Sequence, residues 1–118
     1  MTAPHVLVVE HDLDLLDLIF DVLDAEGYRV SRARTGAEAL ESAQRERPDV
    51  ILVDAGAGGA DEGVRSQLKE RGLGDVPLLV VSGEGGPQRA ARAGAHGFLA
   101  KPFDLGTLIE QVASMTAR

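Results

Sequence analysis

Four short apolar runs in this chain each stop at a polar residue of a different chemical kind, and that pattern restricts the fold more than any other feature. Val6–Val9 leads into Glu10-His11-Asp12, Val50–Val53 into Asp54, Leu78–Val81 into Ser82, and Phe98-Leu99-Ala100 into Lys101-Pro102. Strands that are apolar throughout are buried on both faces, as in parallel sheets covered by helices. Amphipathic stretches separate the runs, so β and α segments alternate five times along the chain. Repeated βα units with right-handed crossovers define an α/β fold, a doubly wound five-stranded parallel sheet with helices on both faces. Ligands bind at the carboxyl edge of such sheets. An acidic pair, a lone Asp, a hydroxyl and a Lys would meet there, a combination suited to a phosphoryl group and a cation.

Local signals place the elements. Asp12 can cap a first helix running to about Glu26, and Gly27 closes it. Within it Asp14, Asp17, Asp21 and Asp24 form an acidic face, with Leu15, Leu18, Ile19 and Val22 opposite and Leu16, Phe20 and Leu23 flanking. The acidic face reads as solvated surface, with docking as the minority alternative. Tyr28–Arg32 is a second strand. Thr35 and Glu38 make a capping box for a helix from Gly36 to about Arg47, stopped by Pro48. The run Ala55-Gly56-Ala57-Gly58-Gly59-Ala60 is the one low-complexity stretch and reads as a loop. A weak helix is expected over Glu62–Arg71 and a short one over Gln88–Ala93, delayed by Gly85, Gly86 and Pro87. The fifth strand is expected over His96–Ala100, and Asp104 caps a last helix to about Met115.

Length and composition limit the function. At 118 residues the chain can build one core without staples, and it reads as one domain, 1–118. It has no cysteine, hence no thiolate metal site or disulfide framework. No signal-peptide pattern opens it and no apolar run nears the ~20 residues that span a bilayer, so a cytoplasmic location is expected. Twelve basic against 19 acidic residues give a formal charge of −7, which argues against direct nucleic-acid binding. One Tyr and three Phe offer no base-stacking platform. No glycine-rich phosphate loop follows the first strand, which disfavours nucleotide binding.

At the expected site, Asp54 is the candidate nucleophile, since a carboxylate can form an acyl phosphate once the surrounding negative charge is offset. Its plainer alternative is a turn or cap Asp. Lys101 can supply the offsetting charge, and a cis bond to Pro102 would orient it. Ser82 can donate a hydrogen bond to a phosphoryl oxygen, and Gly83 leaves the approach open. Each has an ordinary surface alternative; their joint placement at strand ends makes the case. His5 and His96 should lie at the far edge, His5 ~20 Å from His11, and read as surface residues.

Over essentially its full length the chain resembles the receiver domain of bacterial two-component response regulators, a flavodoxin-like fold. Val8-Val9-Glu10, Ile51-Leu52-Val53-Asp54, Val80-Val81-Ser82-Gly83 and Gly94-Ala95-His96-Gly97-Phe98-Leu99-Ala100-Lys101-Pro102-Phe103 carry the resemblance. It implies that Asp54 accepts a phosphoryl group from a sensor histidine kinase or histidine phosphotransfer protein. It implies that Ser82 is the switch hydroxyl, Lys101 the phosphate-binding Lys, and Phe98 the aromatic that couples to a downstream effector. It also implies Mg²⁺ on Glu10, Asp54 and the Gly56 backbone carbonyl. The family usually has two adjacent carboxylates where this chain reads Glu10-His11. An imidazole is a poor Mg²⁺ ligand, so weak Mg²⁺ binding is expected, with Mn²⁺ as the substitute. Asp12 is out of register for the metal, the loop after Asp54 lacks the usual apolar-Pro pair, and the fourth helix is short. The expectation is a phosphoacceptor switch that is not an enzyme in its own right. The alternative is a receiver-fold interaction module that works without phosphorylation.

Overall fold

The computed structural model describes residues 3–55, 60–83, 86–92 and 94–116. Among these residues five strands and five helices alternate: β1 (His5–Val9), α1 (Leu13–Ala25), β2 (Arg29–Ala33), α2 (Gly36–Arg45), β3 (Val50–Asp54), α3 (Ala60–Glu70), β4 (Leu78–Ser82), α4 (Gly86–Arg92), β5 (Gly97–Ala100) and α5 (Leu105–Thr116). All strand pairs are parallel, in the order β2-β1-β3-β4-β5. The chain reverses its direction of travel across the sheet between β1 and β3, the switch point at which such folds bind ligands.

Strand alternation divides the core into two layers. Leu7, Val9, Ile51, Val53, Leu78 and Val80 pack with Leu40, Leu68 and Ala90 of α2, α3 and α4. Val6, Val8, Leu52, Leu79, Val81 and Leu99 pack with Ile19 and Leu23 of α1 and with Leu108 and Val112 of α5. Strands β1, β3 and β4 are buried along their whole length, as their unbroken apolar composition requires. Among the described residues no helix is long and apolar enough to cross a membrane.

The helix ends follow from their caps. Asp12 accepts the N–H groups of Asp14 and Leu15 at the start of α1. At the other end the Gly27 N–H reaches the Asp24 carbonyl and the Tyr28 N–H the Leu23 carbonyl. Gly27 has φ +94°, the left-handed conformation this Schellman closure needs. Thr35 caps α2 through the Glu38 N–H, but the Glu38 carboxylate accepts from Arg34, one residue before the cap, so the expected box is displaced. Helix α2 ends at Arg45 rather than Arg47, because a residue preceding Pro48 is pushed out of helical backbone.

Other expectations need correction. Helix α4 begins at Gly86, not Gln88: Pro87 falls in its first turn, where no intrahelical N–H is required. Helix α3 begins at Ala60, and β5 at Gly97. The buried stripe of α1 is Leu16, Ile19 and Leu23, whereas Leu18 is 45% exposed. His5 is buried, not a surface residue: its backbone N–H bonds Asp49, its ring Nδ1 lies 3.2 Å from the Arg47 carbonyl and Nε2 lies 2.7 Å from the Ser31 hydroxyl. A carbonyl only accepts, so Nδ1 carries a proton.

His96 is exposed, as expected, yet it holds both backbone groups of Leu78. Its N–H donates to the Leu78 carbonyl, and its ring Nδ1 accepts the Leu78 N–H at 3.1 Å. Desolvation, with Arg65 as a smaller cause, lowers its pKa from the ordinary 6.5. The folded state therefore favours neutral His96. That contribution is present above pH ~6.5 and is lost as pH falls through the lowered folded value. Urea titrations at pH 7.5 and pH 5 should show a smaller acid-induced loss of stability in His96→Gln than in wild type. Equal losses in both proteins would contradict this role.

Candidate phosphoacceptor site

The carboxyl ends of β1, β3, β4 and β5 meet at one edge, as the apolar runs predict. Glu10 follows β1, and its N–H bonds the Ala33 carbonyl, which ties it to the end of β2. Asp54 is the last residue of β3 and Ser82 the last of β4, while Lys101 follows β5. Strand register aligns Asp54 with Val81 and Ser82 with Ala100, and the Lys101 N–H bonds the Ser82 carbonyl. The Lys101–Pro102 bond is cis.

The side chains converge. Lys101 Nζ lies 2.7 Å from Asp54 Oδ1 and 3.6 Å from Glu10 Oε2. On the other side His11 Nδ1 lies 3.2 Å from Asp54 Oδ2 and 3.5 Å from Glu10 Oε1. Glu10 and Asp54 are only 2% and 4% exposed, whereas the His11 side chain is 57% exposed. The Asp12 N–H donates to Glu10 Oε1, a backbone contribution for which a side-chain pattern carries no signal. Asp12's own carboxylate stays on the α1 cap. Ser82 is buried at the same edge, and Gly83 beside it is exposed. Gly56, expected to offer its carbonyl, lies outside the described residues. Phe98 is half-buried against the α2–α4 layer.

Burial dominates the electrostatics of Glu10 and raises its pKa. The nearby Asp54 charge adds to the rise, while the Asp12 N–H, Lys101 and His11 oppose it. Burial works against the Lys101 charge, but Asp54 and Glu10 outweigh it and hold the Lys101 pKa above the ordinary lysine value. Two carboxylates and one ammonium leave one negative charge uncompensated. Asp54 Oδ2 is buried without a hydrogen-bond partner among the described residues, with His11 Nδ1 3.2 Å away. A buried carboxylate oxygen without a hydrogen-bond donor is costly, and an ion is one partner that can complete it. Glu10, His11 and Asp54 each offer a ligand atom, all within 4.8 Å of one another, so the donors fit a divalent cation.

A doubly wound parallel domain with a paired carboxylate and lysine at its switch point is a receiver-type α/β domain. The profile of the response regulator receiver domain matches residues 6–113, and the chain belongs to that family. It is 38% identical to the transcriptional regulatory protein PrrA of Mycobacterium tuberculosis, over all of this chain and 52% of PrrA. It therefore spans about half the length of that relative. It is 31% identical to the polar-differentiation response regulator DivK of Brucella anthropi, over 92% of this chain and 93% of DivK. Among solved structures it superposes on the receiver domain of the Pseudomonas aeruginosa sensor histidine kinase PA1611, which has a magnesium ion coordinated in its active site cleft. The TM-score is 0.82 at 27% identity, covering 99% of this chain and all of the other.

Proposed function

We propose that this domain is a phosphoacceptor switch of two-component signalling, in which Asp54 takes a phosphoryl group from a phosphohistidine of a sensor histidine kinase or phosphotransfer protein. The observation that supports it most is the Asp54 carboxylate itself. One oxygen is charge-paired at 2.7 Å to Lys101, and the other is buried without a hydrogen-bond partner among the described residues. In the transfer an Asp54 oxygen bonds to phosphorus, the phosphorus–nitrogen bond of the donor breaks, and the donor imidazole regains its electron pair. Lys101 moves with the charge, holding Asp54 before transfer and the phosphoryl oxygens after it. Ser82, at the end of β4, can donate its hydroxyl to those oxygens. A divalent cation held by Glu10 and Asp54 would supply the remaining positive charge.

The domain supplies an acceptor and a counter-charge rather than a turnover cycle, so we read it as a signalling module and not an enzyme. It would act in the cytoplasm and pass the signal to an effector through its β4–α5 face. Treatment with acetyl phosphate and a divalent cation should add one phosphoryl group by intact mass to wild type and none to Asp54→Asn. A phosphorylation-independent interaction module is the second reading, supported by His11 beside Asp54 where a carboxylate would favour Mg²⁺. It gains if wild type takes up no phosphoryl group with any cation.

A further inference from the structure

The carboxylate oxygens of the site are divided between two partners. Lys101 contacts Asp54 Oδ1 and Glu10 Oε2, while His11 contacts Asp54 Oδ2 and Glu10 Oε1. The His11 side of the pair therefore offers two carboxylate oxygens and an imidazole nitrogen without displacing the lysine. Asp54 Oδ2, on that side, is the buried oxygen that has no hydrogen-bond partner among the described residues. Glu10 Oε1 already accepts one hydrogen bond from the Asp12 N–H, and its other lone pair remains for a cation. The His11 side chain is 57% exposed, so its ring can turn to meet a cation without repacking the core.

We propose that Glu10, His11 and Asp54 form a mixed nitrogen–oxygen site that takes a first-row transition cation in preference to Mg²⁺, with His11 Nδ1 as the ligand that sets the preference. Mg²⁺ demands oxygen donors and keeps most of its water, whereas imidazole suits the later first-row ions, for which affinity rises from Mn²⁺ towards Cu²⁺. Charge acts in the same direction. Lys101 cancels one of the two carboxylates, which weakens the electrostatic attraction on which a hard cation depends. A nitrogen donor, by contrast, adds covalent bonding that the softer ions exploit. The proposal deepens the phosphoacceptor reading and rests on it for the role of the cation.

The test uses the whole chain without phosphodonor. Calorimetric titration with MgCl₂, MnCl₂ and ZnCl₂ should show Zn²⁺ binding at least about ten-fold tighter than Mg²⁺, and His11→Asp should shrink that ratio by about ten-fold or more. Zn²⁺ should also move the ring resonances of His11, with His5 and His96, at the far edge of the sheet, as internal references. Unmoved His11 resonances at saturating Zn²⁺, or a Zn²⁺/Mg²⁺ ratio unchanged in His11→Asp, would overturn it. Acetyl phosphate treatment separates the two ideas. Phosphorylation of Asp54 with His11 unmoved defeats the cation preference alone. His11 ligation without phosphorylation under any cation defeats the phosphoacceptor reading alone.

Discussion

Lys101→Met is expected to slow phosphorylation of Asp54 by about 100-fold or more, the loss that follows removal of one charge-stabilising group from an enclosed site. The same change should destabilise the metal-free protein. Glu10 and Asp54 are buried, and Lys101 is the ammonium within 4 Å of both. Removing one partner of a buried ion pair costs about 3–5 kcal/mol. Lys101 is 29% exposed, and Glu10, whose pKa burial already raises, can take up a proton to limit the loss. A cost of roughly 1–3 kcal/mol is therefore expected. Adding Asp54→Asn to Lys101→Met should recover most of it, because one carboxylate no longer faces another. Urea denaturation in EDTA at pH 7 measures all four proteins of the cycle. Additive single effects would mean that the two side chains are not energetically paired.

Leu23→Ala should cost about 3 kcal/mol, within the range for truncating a fully enclosed leucine, whereas Leu18→Ala should stay within ~0.5 kcal/mol. Both residues are leucines on α1, five positions apart. Leu23 has no exposed surface and packs in the core layer that contains Val6, Val8 and Ile19, while Leu18 is 45% exposed. Urea midpoints with unchanged slopes would report the two costs directly. Comparable losses at both positions would mean that α1 is turned on the sheet from the orientation described.

That rotation of α1 marks where sequence reasoning reaches its limit. With leucine, isoleucine, valine and phenylalanine at eight of its thirteen positions, α1 has more apolar residues than one stripe can bury. Periodicity then permits adjacent stripes, and only contact with Val6, Val8 and the facing helix selects Leu16, Ile19 and Leu23. The burial of His5 is hidden from the sequence for a related reason. A histidine at a strand start looks like an exposed polar end, and its burial depends on Ser31 and Arg47 arriving from other segments. The start of α4 is hidden in the same way, because glycine and proline resist helix interiors, while Pro87 occupies a first turn.

The strands, their parallel arrangement and the gathering of Glu10, Asp54, Ser82 and Lys101 at one edge were determined by the sequence alone. Unbroken apolar runs must be covered on both faces, and right-handed crossovers then bring every strand's carboxyl end to the same side. The tertiary structure alone decided which carboxylate oxygen faces which partner. Lys101 lies 47 residues from Asp54, and His11 lies 43 residues away on the opposite side. Their separations of 2.7 and 3.2 Å come from strand register and side-chain direction at the rim, to which chain periodicity is blind. Burial then leaves Asp54 Oδ2 without a hydrogen-bond partner among the described residues.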